Sequence, residues 1–133
     1  MAERFVDDYL LYLLARASSE VSAQFHTRLK QRGLQVPEWR VLASLSDGDG
    51  MTVGELAARA LQRQPTMTKI INRMEVSNLI ERRQGAPDRR QVRIHITPEG
   101  RRRIDGALTD AKAHEADVLS DYGPEEAALL KSM

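Results

Sequence analysis

The spacing of apolar residues limits what this chain of 133 residues can fold into more than any other feature does. From residue 5 to residue 29 an apolar or small residue recurs at every fourth position, which is the pattern of an amphipathic helix. Helical spacing also holds in most of the rest of the chain. Strict alternation, which is typical of a strand, occurs in residues 91–97, and residues 80–84 supply a partner strand. The pattern predicts a mainly α fold with one small antiparallel β-hairpin.

Capping residues and helix breakers divide the helical part of the chain into six predicted helices. Gly33 ends the first helix, and Thr52 and Glu55 form a capping box at the start of the third. The predicted helices span residues 5–32, 37–45, 53–60, 65–77, 98–122 and 124–133. The apolar stripe of the first helix is longer than a small core needs, so we expect it to pack against a second copy of the chain.

The formal charge of +1 hides an uneven distribution of charge along the chain. Residues 59–103 contain 12 basic and 4 acidic residues, a net charge of +8, and the remainder carries −7. A basic block that also has regular structure is typical of a surface that binds polyanions. The alternative interpretation is a solvated charged face without a ligand.

Composition and motifs argue against several other classes of protein. The chain has no cysteine, which excludes disulfides, thiolate metal sites and thiol-based sensing. No apolar run approaches the roughly 20 residues needed to span a bilayer, and the acidic N-terminus is unlike a signal peptide. We expect a soluble, cytoplasmic, globular protein that does not bind a membrane.

Catalysis and metal binding find little support in the sequence. The three histidines, His26, His95 and His114, lie on different predicted elements, and no serine or carboxylate spacing indicates a catalytic triad. Asp110, His114 and Asp117 share one face of a predicted helix and could bind zinc, but such faces are usually just solvated. We therefore predict no enzyme activity, no catalytic residue, no cofactor and no metal site.

Residues 53–77 have the organisation of a helix-turn-helix, with a short helix, a tight break and a second helix whose exposed face is polar. Such a second helix fits the major groove of DNA, where Lys and Arg donate to guanine, Asn pairs with adenine and a Thr methyl packs on thymine. The basic hairpin that follows is typical of a wing, with Arg89 and Arg90 able to enter a minor groove or bind phosphates. Together these features predict double-stranded DNA as a partner.

From Glu55 to Gly100 the chain resembles the winged helix of the MarR family of bacterial transcriptional regulators. The stretches that carry the resemblance are Glu55-Leu56-Ala57, Thr66-Met67-Thr68-Lys69-Ile70-Ile71-Asn72-Arg73-Met74-Glu75, and Asp88-Arg89-Arg90 followed by Ile96-Thr97-Pro98-Glu99-Gly100. The resemblance implies an obligate homodimer and a palindromic operator with half-sites about one helical turn apart. It also implies dimerisation helices in residues 1–36 and 98–133, on either side of a winged helix-turn-helix domain in residues 37–97.

The resemblance assigns the residues that should contact DNA. Those that should face the major groove are Gln64, Thr66, Thr68, Lys69, Asn72 and Arg73. Arg90 should enter the minor groove, with Asp88 orienting its guanidinium, and Arg89 should contact a phosphate.

Three features depart from the family pattern. Arg63 stands where a small hydroxyl residue usually caps the recognition helix, which shifts the expected start of that helix towards Gln64. Asn78 replaces a common glycine, and asparagine tolerates a left-handed backbone. The final helix is much shorter than in the family, from which we expect a truncated chain with a smaller dimer interface.

The resemblance also implies a small-molecule pocket between the dimer helices and the winged helix, often for anionic aromatic compounds. Arg16, among apolar neighbours on the first helix, could pair with a carboxylate because its guanidinium suits bidentate binding. His26 and Trp39 could complete this site. An inter-subunit salt bridge for Arg16 and a core position for Trp39 stay open as alternatives.

The sequence as a whole predicts a repressor that an aromatic acid or a thioester releases from its operator. Two alternatives remain. One is an activator of the same family, and the other is a winged helix that binds an acidic protein partner through its basic face.

Overall fold

The computed structural model describes residues 4–84 and 91–133. Along the chain lie a 3₁₀ turn (Phe5–Asp8), α1 (Leu10–Gln31), α2 (Val36–Leu45), α3 (Val53–Arg59), α4 (Gln64–Val76), β1 (Ile80–Gln84), β2 (Val92–Ile96), α5 (Pro98–Val118) and α6 (Pro124–Ser132). The two strands form an antiparallel hairpin in which Ile80 pairs with Ile96 and Arg82 with Ile94. The predicted fold class is confirmed.

Two predicted helix ends are wrong. The first helix does not run unbroken from its predicted start, because Tyr9 has an extended backbone between the 3₁₀ turn and α1. No residue of the 3₁₀ turn is buried, so no core contact enforces α-helical geometry on this end of the apolar stripe. Helix α5 ends at Val118, since the amide and the hydroxyl of Ser120 both donate to the carbonyl of Asp117 in a tighter turn.

The described residues divide into two compact units. The central unit comprises residues 29–109 and contains α2, α3, α4 and the hairpin, and the terminal unit comprises residues 4–28 and 110–133. Helices α1 and α5 each contribute residues to both units. Among the helices described, none combines the length and the hydropathy that crossing a bilayer requires.

Each element of the central unit buries one face in a common core. Helix α3 packs against α2 and α4, and α4 packs against β1. The largest fully buried side chains of this core are Leu29, Leu42, Leu45, Leu56, Met67, Ile71, Met74, Ile80, Ile94, Ile104 and Val41. Burial of this apolar surface is the main favourable contribution to the stability of the unit.

Short hydrogen-bonded connections hold the elements of the central unit in register. Thr52 caps α3 by accepting from the amide of Glu55 at 3.1 Å, as its capping position predicts. Thr97 caps α5 by accepting from the amide of Gly100 at 3.0 Å, and its hydroxyl donates to the carbonyl of Asn78 at 2.6 Å. Asn78 has a φ of +61°, which confirms the left-handed residue predicted at the end of α4.

The hairpin is also attached to the loop before α3. Met51 and Ile94 exchange two backbone hydrogen bonds, of 3.0 and 2.7 Å. The guanidinium of Arg93 donates to the carbonyl of Gly50 at 2.8 Å. These contacts make the base of the hairpin part of the core rather than a free extension.

The terminal unit has little buried surface of its own. Large apolar side chains between Phe5 and Leu14 are 40–77% exposed, and the described residues of this unit include one buried side chain, His114. The Nε2 atom of His114 lies 3.0 Å from Oε1 of Gln24, and its ring stacks on that of Phe25 with 6.0 Å between the ring centroids. The most buried position of the unit is therefore polar.

Candidate nucleic-acid interface

Helix α4 begins at Gln64, as expected from the departure at Arg63. Arg63 occupies the N-cap position with an extended backbone and its side chain makes no capping hydrogen bond. Pro65, which has no amide hydrogen to leave unsatisfied, lies in the first turn. Among the described residues, no side chain is hydrogen-bonded to the free amides at the N-terminus of α4, which is therefore open.

The polar face of α4 is exposed as predicted. Met67, Ile70, Ile71 and Met74 bury the opposite face in the core of the central unit. The exposed residues include Gln64, Thr66, Thr68, Lys69, Asn72 and Arg73, all six of the residues predicted to face the major groove. The structure thus brings these six side chains together on one accessible surface.

The turn between α3 and α4 contains a residue that sequence reasoning missed. Leu61 has a φ of +57°, in the left-handed region that glycine usually occupies. The amides of Leu61 and Gln62 donate to the carbonyls of Ala58 and Ala57, which closes the C-terminus of α3. Because the side chain is leucine, nothing in the sequence indicated this conformation.

The structure separates the cations of residues 59–103 into two groups. The arginines with partners inside the molecule are Arg82 with Glu75, Arg83 with Glu81, Arg93 with the carbonyl of Gly50, Arg101 with the carbonyl of Ser46, Arg102 with Glu99, and Arg103 with the carbonyl of Gly33. Within the described part of the chain, the cations of this block that have neither an ion pair nor a side-chain hydrogen bond are Arg59, Arg63, Lys69 and Arg73. All four lie on α3, on α4 or in the turn between them.

Two of the residues predicted to face the major groove have intramolecular partners. The hydroxyl of Thr68 donates to the carbonyl of Gln64 at 3.0 Å. The Oδ1 atom of Asn72 accepts a short hydrogen bond from Nη2 of Arg82 on β1. Arg82 was not predicted as a site residue, because its position beside α4 results from the packing of the hairpin and has no local signal in the sequence.

The DNA contacts predicted for the wing tip are not part of the described structure. Asp88, Arg89 and Arg90 lie outside the described residues, so their predicted roles at the minor groove and at phosphates stay predictions.

The residues predicted to bind an effector belong to both units. Arg16 and His26 are in the terminal unit, and Trp39 is in the central unit. Arg16 is exposed, with its Nε atom 3.1 Å from Oε1 of Glu20, and this hydrogen bond raises the pKa of Arg16 above its ordinary value. His26 and Trp39 are half-buried. A site formed by all three stays a prediction.

One cavity of the central unit does not involve the predicted effector residues, and the described residues contain no cluster that could bind a metal ion. A cavity of about 450 Å³ in the central unit is lined by Ala43, Ser44, Asp47, Asp49, Met51 and Arg59. It includes none of the three predicted ligand residues. Among residues 4–84 and 91–133, no three His, Asp or Glu side chains are grouped as a metal site requires.

Comparison with known proteins agrees with the architecture of the central unit. Residues 32–91 match a family model described as MarR family. The uncharacterized HTH-type transcriptional regulator YsmB of Bacillus subtilis is 34% identical over 103 residues, which are 77% of this chain and 70% of that protein. The homoprotocatechuate degradative operon repressor of Escherichia coli is 27% identical over 119 residues, which are 90% of this chain and 80% of that protein.

Solved structures give the same result. The crystal structure of a MarR family transcriptional regulator from Silicibacter pomeroyi DSS-3 is 44% identical and has a TM-score of 0.82, covering 90% of this chain and 85% of that one. The helix-turn-helix with its hairpin, the family model and these relatives all agree with the resemblance found in the sequence. The chain belongs to the MarR family of transcriptional regulators.

Proposed function

We propose that this MarR-family regulator is a repressor that binds a palindromic operator as a homodimer and leaves it when a small ligand binds. The observation that carries the proposal is that the unpaired cations of the described basic block, Arg59, Arg63, Lys69 and Arg73, all lie on α3, on α4 or in the turn between them. In the described chain, the arginines of the hairpin and of the first turns of α5 have partners within the molecule. Among the described cations of residues 59–103, those that remain free to pair with phosphates are therefore concentrated at the helix-turn-helix.

Helix α4 is the element that we assign to the major groove. Lys69 and Arg73, one turn apart, can donate to the O6 and N7 atoms of guanine, and the methyl groups of Thr66 and Thr68 can pack on thymine. Arg63 lies at the open N-terminus of α4, where the free amides and the helix dipole favour a phosphate. We assign Arg90 to the minor groove, with Asp88 orienting it, and Arg89 to a phosphate.

The exposed apolar surface of the terminal unit supports the homodimer. Apolar patches larger than a few hundred Å² are rare on monomeric proteins and mark association surfaces. A second copy of the chain would cover this surface with the same surface under two-fold symmetry. Two symmetric copies of α4 would then require a palindromic operator whose half-sites are about one helical turn apart.

The name of a relative and the chemistry of Arg16 support an aromatic acid as the class of effector. The E. coli relative is named as a repressor of a homoprotocatechuate degradative operon, and homoprotocatechuate is an aromatic carboxylic acid. The exposed pair of Arg16 and Glu20 offers a guanidinium that a ligand carboxylate can take over, and His26 is the second ligand residue that we propose within the terminal unit. The ligand would favour a dimer conformation that no longer fits the operator, and a coupling of about 1–3 kcal/mol is typical of such switches.

Titration of the full chain with duplex DNA at several salt concentrations tests the proposal. Selection from random duplexes should yield a palindrome that binds on the order of 10³-fold more tightly than a scrambled duplex. The affinity should fall steeply as salt rises, because bound cations release counterions from the phosphates. Binding that ignores sequence, or that depends weakly on salt, contradicts the proposal and favours an acidic protein partner.

A pair of variants tests the assignment to α4. Lys69→Ala should weaken binding to the selected duplex, because its ammonium group is unpaired on the polar face of α4. Lys112→Ala is the matched control, since it removes an exposed lysine of α5 in the terminal unit. Equal losses of affinity in the two variants would contradict the assignment.

The effector site has its own test. Thermal stabilisation by candidate aromatic acids and their thioesters identifies a ligand, because a ligand that binds the folded state raises the unfolding temperature. Arg16→Ala should then bind the operator as the wild type does and fail to respond to that ligand. A normal ligand response in this variant would remove Arg16 from the site.

A further inference from the structure

Arg82 is an arginine of the hairpin whose side chain is directed towards α4. In the register of the hairpin it pairs with Ile94, on the same face as Ile80, and both of these isoleucines are buried. Ile94 is in turn bonded to Met51 by two backbone hydrogen bonds. The backbone that carries Arg82 is therefore held in the core of the central unit.

The guanidinium of Arg82 bridges two residues of α4. Its Nη2 atom donates to Oδ1 of Asn72, and its Nε atom lies 3.5 Å from Oε1 of Glu75. Asn72 and Glu75 are three positions apart, so they are neighbours on the surface of α4. The side chain of Arg82 is 35% exposed, whereas that of Arg83, which pairs with Glu81, is 59% exposed.

The contact with Arg82 determines how Asn72 can meet a base. An asparagine amide has an acceptor end and a donor end, and a rotation of 180° exchanges them. The hydrogen bond from Arg82 holds Oδ1 on the side of the hairpin, so Nδ2 occupies the other end of the amide. A base edge is distinguished by its pattern of donors and acceptors, so an amide of fixed orientation can discriminate between bases and a freely rotating one discriminates less.

We propose that Arg82 is a positioning residue for DNA recognition, one that sets the base preference of Asn72. It does this by fixing the orientation of the Asn72 amide, while Glu75 holds the guanidinium in place. The inference rests on the proposed function, because it requires that α4 reads DNA. It adds that one base pair of each half-site is read through a residue of the hairpin that itself contacts no base.

Base preferences of four variants of the full chain test this inference. Arg82→Ala, Asn72→Ala, the double variant and the control Arg83→Ala are each titrated with the selected duplex and with its single base-pair substitutions. Discrimination at one base pair should fall by roughly five- to 150-fold in both Arg82→Ala and Asn72→Ala. The double variant should lose no more than Asn72→Ala does, and Arg83→Ala should keep the wild-type preferences.

Two results would overturn the inference. In the first, Arg82→Ala binds every duplex more weakly by one common factor and its salt dependence falls by about one phosphate contact, which identifies Arg82 as a phosphate ligand. In the second, Arg82→Ala discriminates as the wild type does while Asn72→Ala does not. A wild-type chain that shows no sequence preference at all would instead refute the proposed function and, with it, the inference.

Arg82→Lys is the second variant in case Arg82→Ala does not fold, a property that circular dichroism checks. Lysine keeps the charge and the phosphate attraction, but its single nitrogen cannot reproduce the planar guanidinium that bridges two partners. The inference predicts that Arg82→Lys loses discrimination at the same base pair as Asn72→Ala does. Wild-type discrimination in a folded Arg82→Lys variant would count against it.

Discussion

The central unit and the terminal unit differ in where their apolar side chains lie. In the described chain, every buried apolar side chain belongs to residues 29–109, whereas the stripe from Phe5 to Leu14 is exposed. The central unit therefore has the core that a domain needs in order to hold α4 and the hairpin in a fixed geometry. The apolar residues of the terminal unit have the periodicity of a core but lack one, which supports the proposal that association with a second copy completes it.

The largest expected effect comes from equal leucine truncations in the two units. Leu42→Ala should lower the free energy of unfolding by about 2–5 kcal/mol, because Leu42 is fully buried in the core. Leu13→Ala, at a side chain that is 41% exposed, should leave the stability of the central unit within about 0.5 kcal/mol of the wild type. Chemical denaturation and hydrogen exchange of α2 to α4 measure the two effects.

Leu13→Ala should act on association instead. If the proposed dimer covers Leu13, this variant should dissociate at higher protein concentrations than the wild type does, which sedimentation measures. If both variants destabilised the central unit equally, Leu13 would contribute to the stability of that unit as Leu42 does, and the difference between the two units would be refuted.

Gly100 tests how closely the elements of the central unit approach one another. A Cβ atom at this position would overlap the carbonyl oxygen of Leu79 and lie 2.8 Å from Cγ1 of Ile96. Since the backbone of Leu79 cannot move aside as a flexible side chain can, Gly100→Ala should destabilise the protein by about 1–3 kcal/mol. Gly54→Ala is the control, because its nearest neighbours would be 3.9 Å away. An unchanged stability of Gly100→Ala would mean that the start of α5 packs less tightly against Leu79 and Ile96 than the structure shows.

A smaller effect, of opposite sign, is expected in the turn of the helix-turn-helix. Leu61 has a positive φ, which costs a non-glycine residue about 1–2 kcal/mol. Leu61→Gly should relieve this strain and raise the free energy of unfolding by about 0.5–1 kcal/mol, after the entropy that glycine loses on folding. Asn78→Gly should raise the free energy of unfolding by less, because asparagine already tolerates this conformation. Thermal denaturation of the two variants makes the comparison, and a destabilised Leu61→Gly would show that the leucine side chain has a stabilising role.

Local sequence signals predicted the elements of the central unit well. The cap at Thr52, the left-handed Asn78 and the alternation of β2 each depend on residues close in the sequence. The polar face of α4 was predictable for the same reason, since helical periodicity separates it from the buried stripe. These elements have a strong local preference that agrees with their packing in the core.

Features that depend on tertiary packing had no such signal. The bridge from Arg82 to Asn72 and Glu75 joins a strand to a helix, and the left-handed backbone of Leu61 is held in place by the helices on either side. The charge count also could not distinguish Lys69, which is unpaired, from Arg103, whose guanidinium binds the carbonyl of Gly33. The predicted start of the first helix was wrong where the apolar stripe has no core to pack against.

In the function proposed above, the central unit reads DNA as part of a dimer that the terminal unit completes. Sedimentation of the full chain, alone and with the selected palindromic duplex, measures the number of chains in each complex. The full chain should be a dimer in the absence of DNA and should bind each duplex as two copies, and Leu13→Ala should promote dissociation of the dimer. A folded monomer at all concentrations, or one chain bound to each palindrome, would contradict it.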